Sequence, residues 1–294
     1  MSAVIGPPAT RGRRSTASSS VARLGYWAAA ILTLVVFLVP LLWALLRAFQ
    51  PTATITARPG LSAFTDLTWA NVRAVFGGSD SLWRYVGNSL LVAGGTAVLV
   101  AVLTTLAGYG FARFRFRGAG LVFGLILVSM MIPFQAILTP LFLELNALRL
   151  TDSRFGLVLF STTMQIPFGV FVMRNSFAAI PRELEESARV DGAGTAQVLL
   201  RVLRPLVMPG VATVLLFAFL ATWTDFLGAL TFITRSDLVT LPVQLSNLQQ
   251  GIHGQVDFGQ LSTGSIVSAI PCVLLYVCLQ RTYVRGLTEG ALKA

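Results

Sequence analysis

Charge, histidine, lysine and cysteine are all scarce in this chain of 294 residues. Charged residues make up 12% of it, against about 25% in an average soluble domain, and 55% of it is hydrophobic. Such a composition excludes an ordinary soluble domain and is that of a membrane protein. The single histidine, His253, supplies too few ligands for a metal centre. The two cysteines, Cys272 and Cys278, share one apolar run on different faces of a helix, so neither a disulfide nor a metal-binding pattern is present. The sequence contains no H-E-x-x-H, no G-x-S-x-G and no G-x-x-x-x-G-K-[ST]. Neither an intramembrane hydrolase nor a nucleotide-binding motor is encoded here.

What the chain does have is long uncharged stretches. Six of them, Leu24 to Leu46, Tyr85 to Ala112, Gly118 to Leu143, Phe155 to Met173, Pro205 to Thr224 and Phe258 to Gln280, each hold 19 or more residues. About 20 residues at 1.5 Å each cross a hydrocarbon core of about 30 Å. Backbone groups in lipid must satisfy one another, so the expected fold is an all-α integral membrane protein of six transmembrane helices. The first run is too long for a signal-peptide core and lacks a small-residue cleavage site. It is expected to be an uncleaved span after a disordered basic tail, residues 1–23, leaving 24–294 as a six-helix membrane domain.

The net charge of +10, from 22 basic and 12 acidic residues, raises nucleic acid as a partner. Its distribution answers otherwise. With the N-terminus in the cytoplasm, fifteen of the basic residues fall on the cytoplasmic side, Arg113, Arg115, Arg117 and Arg174 among them, and seven fall outside. The positive-inside rule thus accounts for the excess and places both termini in the cytoplasm. Two outer segments are long enough to fold. Asp66 to Phe76 reads as a short amphipathic helix capped by the aspartate. Leu230 to Asp257, with Gln244, Asn247, Gln249, Gln250 and Gln255, reads as an amide-rich solvated loop.

Between the fourth and fifth runs stands P-R-E-L-E-E-S-A-R-V-D-G-A-G, Pro181 to Gly194. Pro181 suits a first helical turn, and Glu183, Glu185 and Glu186 suit the positive end of a helix dipole. Glu185 and Arg189 stand at i and i+4 in the favourable order. Gly192 and Gly194 stop the helix. Thr195 is placed to cap a second short helix, Ala196 to Leu203, ahead of the fifth span at Pro205. The expectation is a helix, a glycine elbow and a helix, a loop over 180–204 that projects from the membrane. Its small Ser187 and Ala188 and its acids fit a cleft on a protein partner better than a lipid surface.

The third run contains M-M-I-P-F-Q-A-I-L-T-P, and Pro133 and Pro140 predict a kink. Gln135 and Thr139 between them are candidate contacts on a solute pathway, or ordinary inter-helix hydrogen bonders. Asp225 lies 21 residues past Arg204, roughly 31 Å along a helix, and so near the outer surface. An ion-coupled secondary transporter is the competing reading. It calls for ionisable groups at mid-membrane or paired repeats, and no uncharged run supplies them.

The run Glu186-Ser187-Ala188, three residues, Gly192, nine residues, then Val202-Leu203-Arg204-Pro205 resembles the E-A-A, x3, G, x9, I-x-L-P signature of permease subunits of binding-protein-dependent ABC importers. Ser187 and Arg204 depart from it. The chain is further similar to the carbohydrate branch, in particular to the second membrane subunit of the maltose importer. The matching stretches are N-S-L-L-V-A at Asn88 to Ala93, A-G-Y-G-F-A-R-F-R-F-R-G at Ala107 to Gly118, M-I-P at Met131 to Pro133, W-T-D-F at Trp223 to Phe226, L-P-V at Leu241 to Val243, and R-G-L-T-E-G-A-L-K-A at Arg285 to Ala294.

The resemblance implies a plasma-membrane permease subunit, not an enzyme, forming half of the pathway of an ATP-driven sugar importer. The implied partners are a second permease subunit, a cytoplasmic ATPase dimer that carries ATP and Mg, and an extracytoplasmic solute-binding protein. No cofactor is implied on this chain. Glu185, Glu186, Ser187, Ala188, Asp191 and Gly192 become the coupling residues. The C-terminal tail, 281–294, with Glu289, Gly290 and Lys293, becomes a second docking element or a frayed end. Disaccharides, oligosaccharides and glycerol phosphate all stay open as solutes.

Overall fold

A computed structural model describes residues 16–51, 55, 67–77, 81–251 and 256–291, with 16–22 and 279–291 as backbone alone. Every element in it is helical, with no strand among the described residues. In chain order these are α1 (Thr16–Ala48), α2 (Ala70–Phe76), α3 (Leu82–Arg113), α4 (Ala119–Ser129), α5 (Phe134–Ala147), α6 (Arg154–Ala178), α7 (Glu183–Val190), α8 (Thr195–Gln197), a π-helical turn over Val198–Leu203, α9 (Arg204–Trp223), α10 (Leu227–Phe232), α11 (Leu241–Gln250) and α12 (Phe258–Ala291). Five helical stretches are long and apolar enough to cross a membrane: Arg23–Ala48, Leu82–Arg113, Arg154–Ala178, Thr195–Trp223 and Phe258–Cys278. The sixth expected span is α4 followed by α5, two helices bent by 101° at their junction.

The bend follows from the sequence. Pro133 caps α5 with an extended ψ of 127° and has no N–H to continue a helical ladder. The third span is therefore broken outright where the sequence predicts a kink, with Met130, Met131, Ile132 and Pro133 exposed along the break.

The centre of the fold is α3 packed against α6 and α9, while α1 lies against α12. In lipid there is no hydrophobic drive to join helices, so close packing through small residues takes its place. A Cβ on Gly108 of α3 would sit 2.5 Å from the Met173 Cβ and 2.8 Å from the Arg174 backbone N of α6. One on Gly169 would meet the Thr104 side chain at 2.6 Å. Val100, Met173 and Phe177 close the same seam and are fully buried. The apolar residues left exposed, such as Leu91, Val98 and Leu106 on α3, are the outward surface expected of a lipid-facing bundle.

At the end of the bundle away from α7, polar side chains tie connecting segments to helix ends. Asn88 donates to the carbonyls of Asp237 (3.0 Å) and Val239 (2.8 Å), and Ser89 Oγ accepts from the Leu241 N–H at 2.8 Å. The N-S of the N-S-L-L-V-A stretch is thus a clasp on the segment leading into α11. Asp152 accepts from the Thr234 N–H and hydroxyl, both at 2.6 Å, and from the Arg235 N–H at 2.9 Å. Its φ of 52° is one that aspartate tolerates better than most residues. Asn71 of α2 donates to the carbonyls of Ala48 (3.0 Å) and Gln50 (2.7 Å). The short outer helix is present, but its first N–H, from Ala70, is accepted by the Thr68 hydroxyl at 3.1 Å; Asp66 lies outside the described residues. Within the amide-rich stretch, α11 holds Gln244, Asn247, Gln249 and Gln250, because Pro242 and the extended Thr240 start a helix that Gly251, at φ 72°, ends. His253 and Gln255 lie outside the described residues.

Two tests follow from these contacts. Gly108→Ala should cost about 1–3 kcal/mol by overpacking, read as a lower unfolding temperature in detergent, while Gly110→Ala, with no atom within 4 Å of the added Cβ, should leave it unchanged. The hydrogen bonds from the Thr234 side chain, the Arg235 backbone and the Thr234 backbone hold the Asp152 carboxyl below its ordinary value of 3.8. A depressed folded value means that its stabilisation is complete above 3.8 and lost as the pH falls through the folded value. The stability difference between the protein and Asp152→Ala, measured by thermal unfolding, should be full at neutral pH and shrink only below pH 3.8.

Candidate functional site

α7 forms where the sequence places acids at a helix start: Glu183, Glu185 and Glu186 fill its first turn. Its end is a Schellman motif. The Gly192 N–H donates to the Arg189 carbonyl and the Ala193 N–H to the Ala188 carbonyl, both at 3.0 Å, with Gly192 at φ 84°. Only glycine adopts that conformation without strain. The second arm differs from expectation at its cap. Gly194, not Thr195, occupies the N-cap, and the Gln197 side chain reaches back to accept from the Gly194 N–H at 3.0 Å.

Nor is that arm a separate helix. α8 runs through the π-helical turn straight into α9, so Thr195–Trp223 is one helical stretch. The widened turn sits where Pro205 lacks an N–H and its ring presses on the Arg201 carbonyl four residues back, conditions that displace a regular α-helical ladder.

The loop is fixed to the bundle from inside. Glu185 is 5% exposed and forms an ion pair with Arg113, the last residue of α3. Tyr109 Oη donates to Glu185 Oε2 at 3.5 Å, and Arg189, one turn along α7, stands 4.0 Å from the same oxygen. Arg113 also donates to the Ile180 carbonyl at 2.9 Å, and Arg182 to that of Ala112 at 3.4 Å. Composition assigns Arg113 to the topology signal. Geometry gives it a partner, and the only trace in sequence is that A-G-Y-G-F-A-R carries Tyr109 and Arg113 one turn apart on the face that meets Glu185.

Four of the other five coupling candidates are exposed, and the fifth packs inward. Glu186, Ser187, Asp191 and Gly192 are exposed, and Ala188 is half-buried against the core. Leu184 and Val190 add apolar surface to the same protrusion, Val190 at 88% exposure. Acids, small residues and two uncovered aliphatic side chains thus share one exposed knob.

A second feature lies at the break between α4 and α5. A cavity of about 400 Å³ is lined there by Ser129, Met130, Ile132, Phe134 and Ile137 of the broken span, by Phe160 to Pro167 of α6 in part, and by Ala221, Thr222 and Asp225 at the end of α9. Phe134 and Phe160 pack ring to ring at 5.4 Å. Ser161 Oγ and Thr222 Oγ1 are buried in its wall with no partner among the described residues, a condition that costs about 1–3 kcal/mol per group. Pro167 removes the N–H that would have paired with the Thr163 carbonyl, and both residues line the space.

Asp225, two residues past the last of its span, accepts from the Gly228 N–H at 3.2 Å and so caps α10. Burial pushes its carboxyl above 3.8, opposed by the N–H groups of Gly228 and Ala229. Around it, the W-T-D-F stretch divides its roles. Trp223 is buried and its Nε1 donates to the Ser268 carbonyl of α12 at 3.0 Å, while exposed Thr224 bonds back to Leu220.

Gln135 and Thr139 are exposed on α5 and are not among the cavity's lining residues. Glu289 and Gly290 lie in the backbone-only part of α12, and Lys293 lies outside the described residues. The knob and the cavity are thus brought to opposite ends of one helical stretch, and Gln135 and Thr139 of the third span line neither.

The brace is open to direct measurement. Removing one partner of a buried pair leaves a charge without compensation, at a cost of about 3–5 kcal/mol. Arg113→Ala should show that loss in unfolding experiments, and Arg113→Met with Glu185→Leu should recover much of it. Equal stability of Arg113→Ala and the parent would show the pair to be unimportant.

The sequence profile of the family described as "Binding-protein-dependent transport system inner membrane component" matches residues 80–289. Among curated proteins, the chain is 34% identical to the trehalose transport system permease protein SugB of Mycobacterium tuberculosis, over 92% of this chain and 98% of that one. It is 33% identical to the diacetylchitobiose uptake system permease protein DasC of Streptomyces coelicolor, over 86% and 91%. It is 30% identical to the arabinooligosaccharides transport system permease protein AraQ of Bacillus subtilis, over 87% and 91%. Among solved structures, a chain of a bacterial ABC transporter involved in the import of the acidic polysaccharide alginate superposes with a TM-score of 0.79 at 21% identity, covering 92% of this chain and 99% of that one. That likeness is one of fold. The profile match and the near full-length relatives together make this polypeptide a member of the binding-protein-dependent transport system inner membrane component family, a multi-pass transport permease of the inner (plasma) membrane.

Proposed function

We propose that this chain is one of two membrane subunits of an ATP-driven sugar importer, and that the α7–Gly192–α8 knob is where a cytoplasmic ATPase engages it. The observation that carries the proposal is the knob itself: an exposed, glycine-hinged protrusion braced by the Arg113–Glu185 pair. Glu186, Ser187, Asp191 and Gly192 would face the ATPase, with Ala188 allowing close approach. Glu185 acts from behind as a positioning residue rather than a contact. Both termini and the knob lie in the cytoplasm on this reading, as the arginine distribution requires. ATP and Mg belong to the ATPase dimer.

Sugar as the solute is supported by the names of the relatives, which carry trehalose, diacetylchitobiose and arabinooligosaccharides. A solute-binding protein at the far end is supported by a solved relative of the fold, TM-score 0.65, described in complex with an alginate pentasaccharide-bound periplasmic protein. Exposed Gln135 and Thr139 then belong to the surface shared with the second permease subunit, where a pathway between the two halves would run. Glu289, Gly290 and Lys293 form a tail within reach of the ATPase.

Reconstitution with the partner subunits in proteoliposomes tests the coupling. Glu186→Lys and Gly192→Pro should insert normally yet lose ATP-driven uptake by about tenfold or more, the effect of only about 1.4 kcal/mol in coupling free energy. Wild-type uptake by both variants would remove the knob from the mechanism, and uptake driven by a proton gradient without any ATPase would remove the importer reading.

A further inference from the structure

The cavity at the broken third span has a chemistry that the coupling loop does not explain. Its lining residues include aromatic faces, Phe134 and Phe160, the hydroxyl-bearing Ser129, Ser161, Thr163 and Thr222, and one amide, Gln165. Asp225 is the one charged side chain among them, and no lysine, arginine or histidine lines the space among the described residues. Its Oδ1 is engaged by the Gly228 N–H, and Phe160 and Asp225 Oδ2 meet at the same spot beside Gly228, each 2.4 Å from the Cβ that Gly228 lacks. The carboxylate and the aromatic ring thus flank one point, beside Gly228, at the wall of a cavity of about 400 Å³, within the range of small-molecule sites.

We infer that this cavity is a solute subsite selective for neutral, hydroxyl-rich sugars, in which Asp225 is the specificity-determining residue that rejects carboxylated ones. The inference rests on the sugar-importer reading above and adds to it the charge class of the solute. Sugar hydroxyls donate to a carboxylate and lay their C–H faces on aromatic rings. The buried, unpartnered Ser161 and Thr222 hydroxyls supply further groups that a polyol can satisfy. A uronate entering the same space would bring a second negative charge beside Asp225 with no cation among the lining residues to offset it, and like charges at close range in a partly dry site repel strongly. Alginate, the acidic polysaccharide imported by the solved relative of the fold, is the kind of chain this wall disfavours.

Thiol labelling tests this without needing transport. Ala221 lines the cavity, is exposed, and stands one turn before Asp225. In full-length protein carrying Cys272→Ser and Cys278→Ser, Ala221→Cys is treated in proteoliposomes with a cationic and an anionic methanethiosulfonate of similar size. The expected result is a cationic-to-anionic rate ratio about tenfold above that of a free thiol in solution. Asp225→Asn, which keeps an oxygen to cap α10, should bring the ratio to the free-thiol value, and Asp225→Glu should retain the excess. Trehalose should slow labelling, and an alginate trisaccharide at the same concentration should not. A ratio equal to that of the free thiol, a ratio indifferent to Asp225→Asn, or equal effects of the two sugars would each overturn the inference. Failure of ATP-driven uptake in the reconstituted system would overturn the importer reading instead, and it is scored separately.

Discussion

Taking a guanidinium and a carboxylate out of water costs several kcal/mol per ion after relaxation, and the protein accepts that cost where Arg113 meets Glu185. The pair sits at the last residue of α3 and in the first turn of α7, so it joins the most deeply packed helix of the bundle to the one element that stands clear of it. Without it α7 would hang on a short connection at 179–182. With it, together with the Arg113 bond to Ile180 and the Arg182 bond to Ala112, the protrusion is a rigid extension of α3. On the proposed function, a force applied to exposed Glu186 or Val190 would be delivered to the seam between α3 and α6.

That seam is packed without slack. Gly108 and Gly169 let the backbones of α3 and α6 approach until an added methyl would collide, and Gly210 does the same for α9 against Ser176, where a Cβ would lie 2.3 Å from Ser176 Oγ. Close-packed interfaces move between discrete arrangements and do not deform gradually. The broken third span is the looser part of the structure by contrast. None of α4's residues is buried, and among those of α5 only Leu145 is.

Much of this was legible in the sequence, for reasons that differ from element to element. The uncharged runs set the spans because charge and span length are local properties. The acids after Pro181 and the glycine at 192 announced α7 and its end because caps and dipoles are local too. Gln197 capping Gly194, in place of Thr195, turned on which side chain reached the N–H first, a choice made by a few dihedral angles. The depth of the break at Pro133 and the π-helical turn before Pro205 depend on what packs around a proline, which the chain order does not reveal. Arg113 was hidden most completely. It looked like one of several arginines flanking a span, and only the meeting of α3 with α7, 72 residues later in sequence at Glu185, gives it a role. The cavity was hidden likewise, since Phe134, Ser161 and Asp225 come from separate spans.

The helical continuity from Thr195 to Trp223 has a mechanical consequence. Its 29 residues reach roughly 43 Å, and they begin at the glycine elbow and finish at the wall of the cavity beside Thr222. A stiff rod with a hinge at one end acts as a lever. A small tilt imposed at Gly194 would become a larger sideways sweep at Ala221 and Asp225, so that, on the proposed function, the stroke that closes a motor below would also reshape the cavity above.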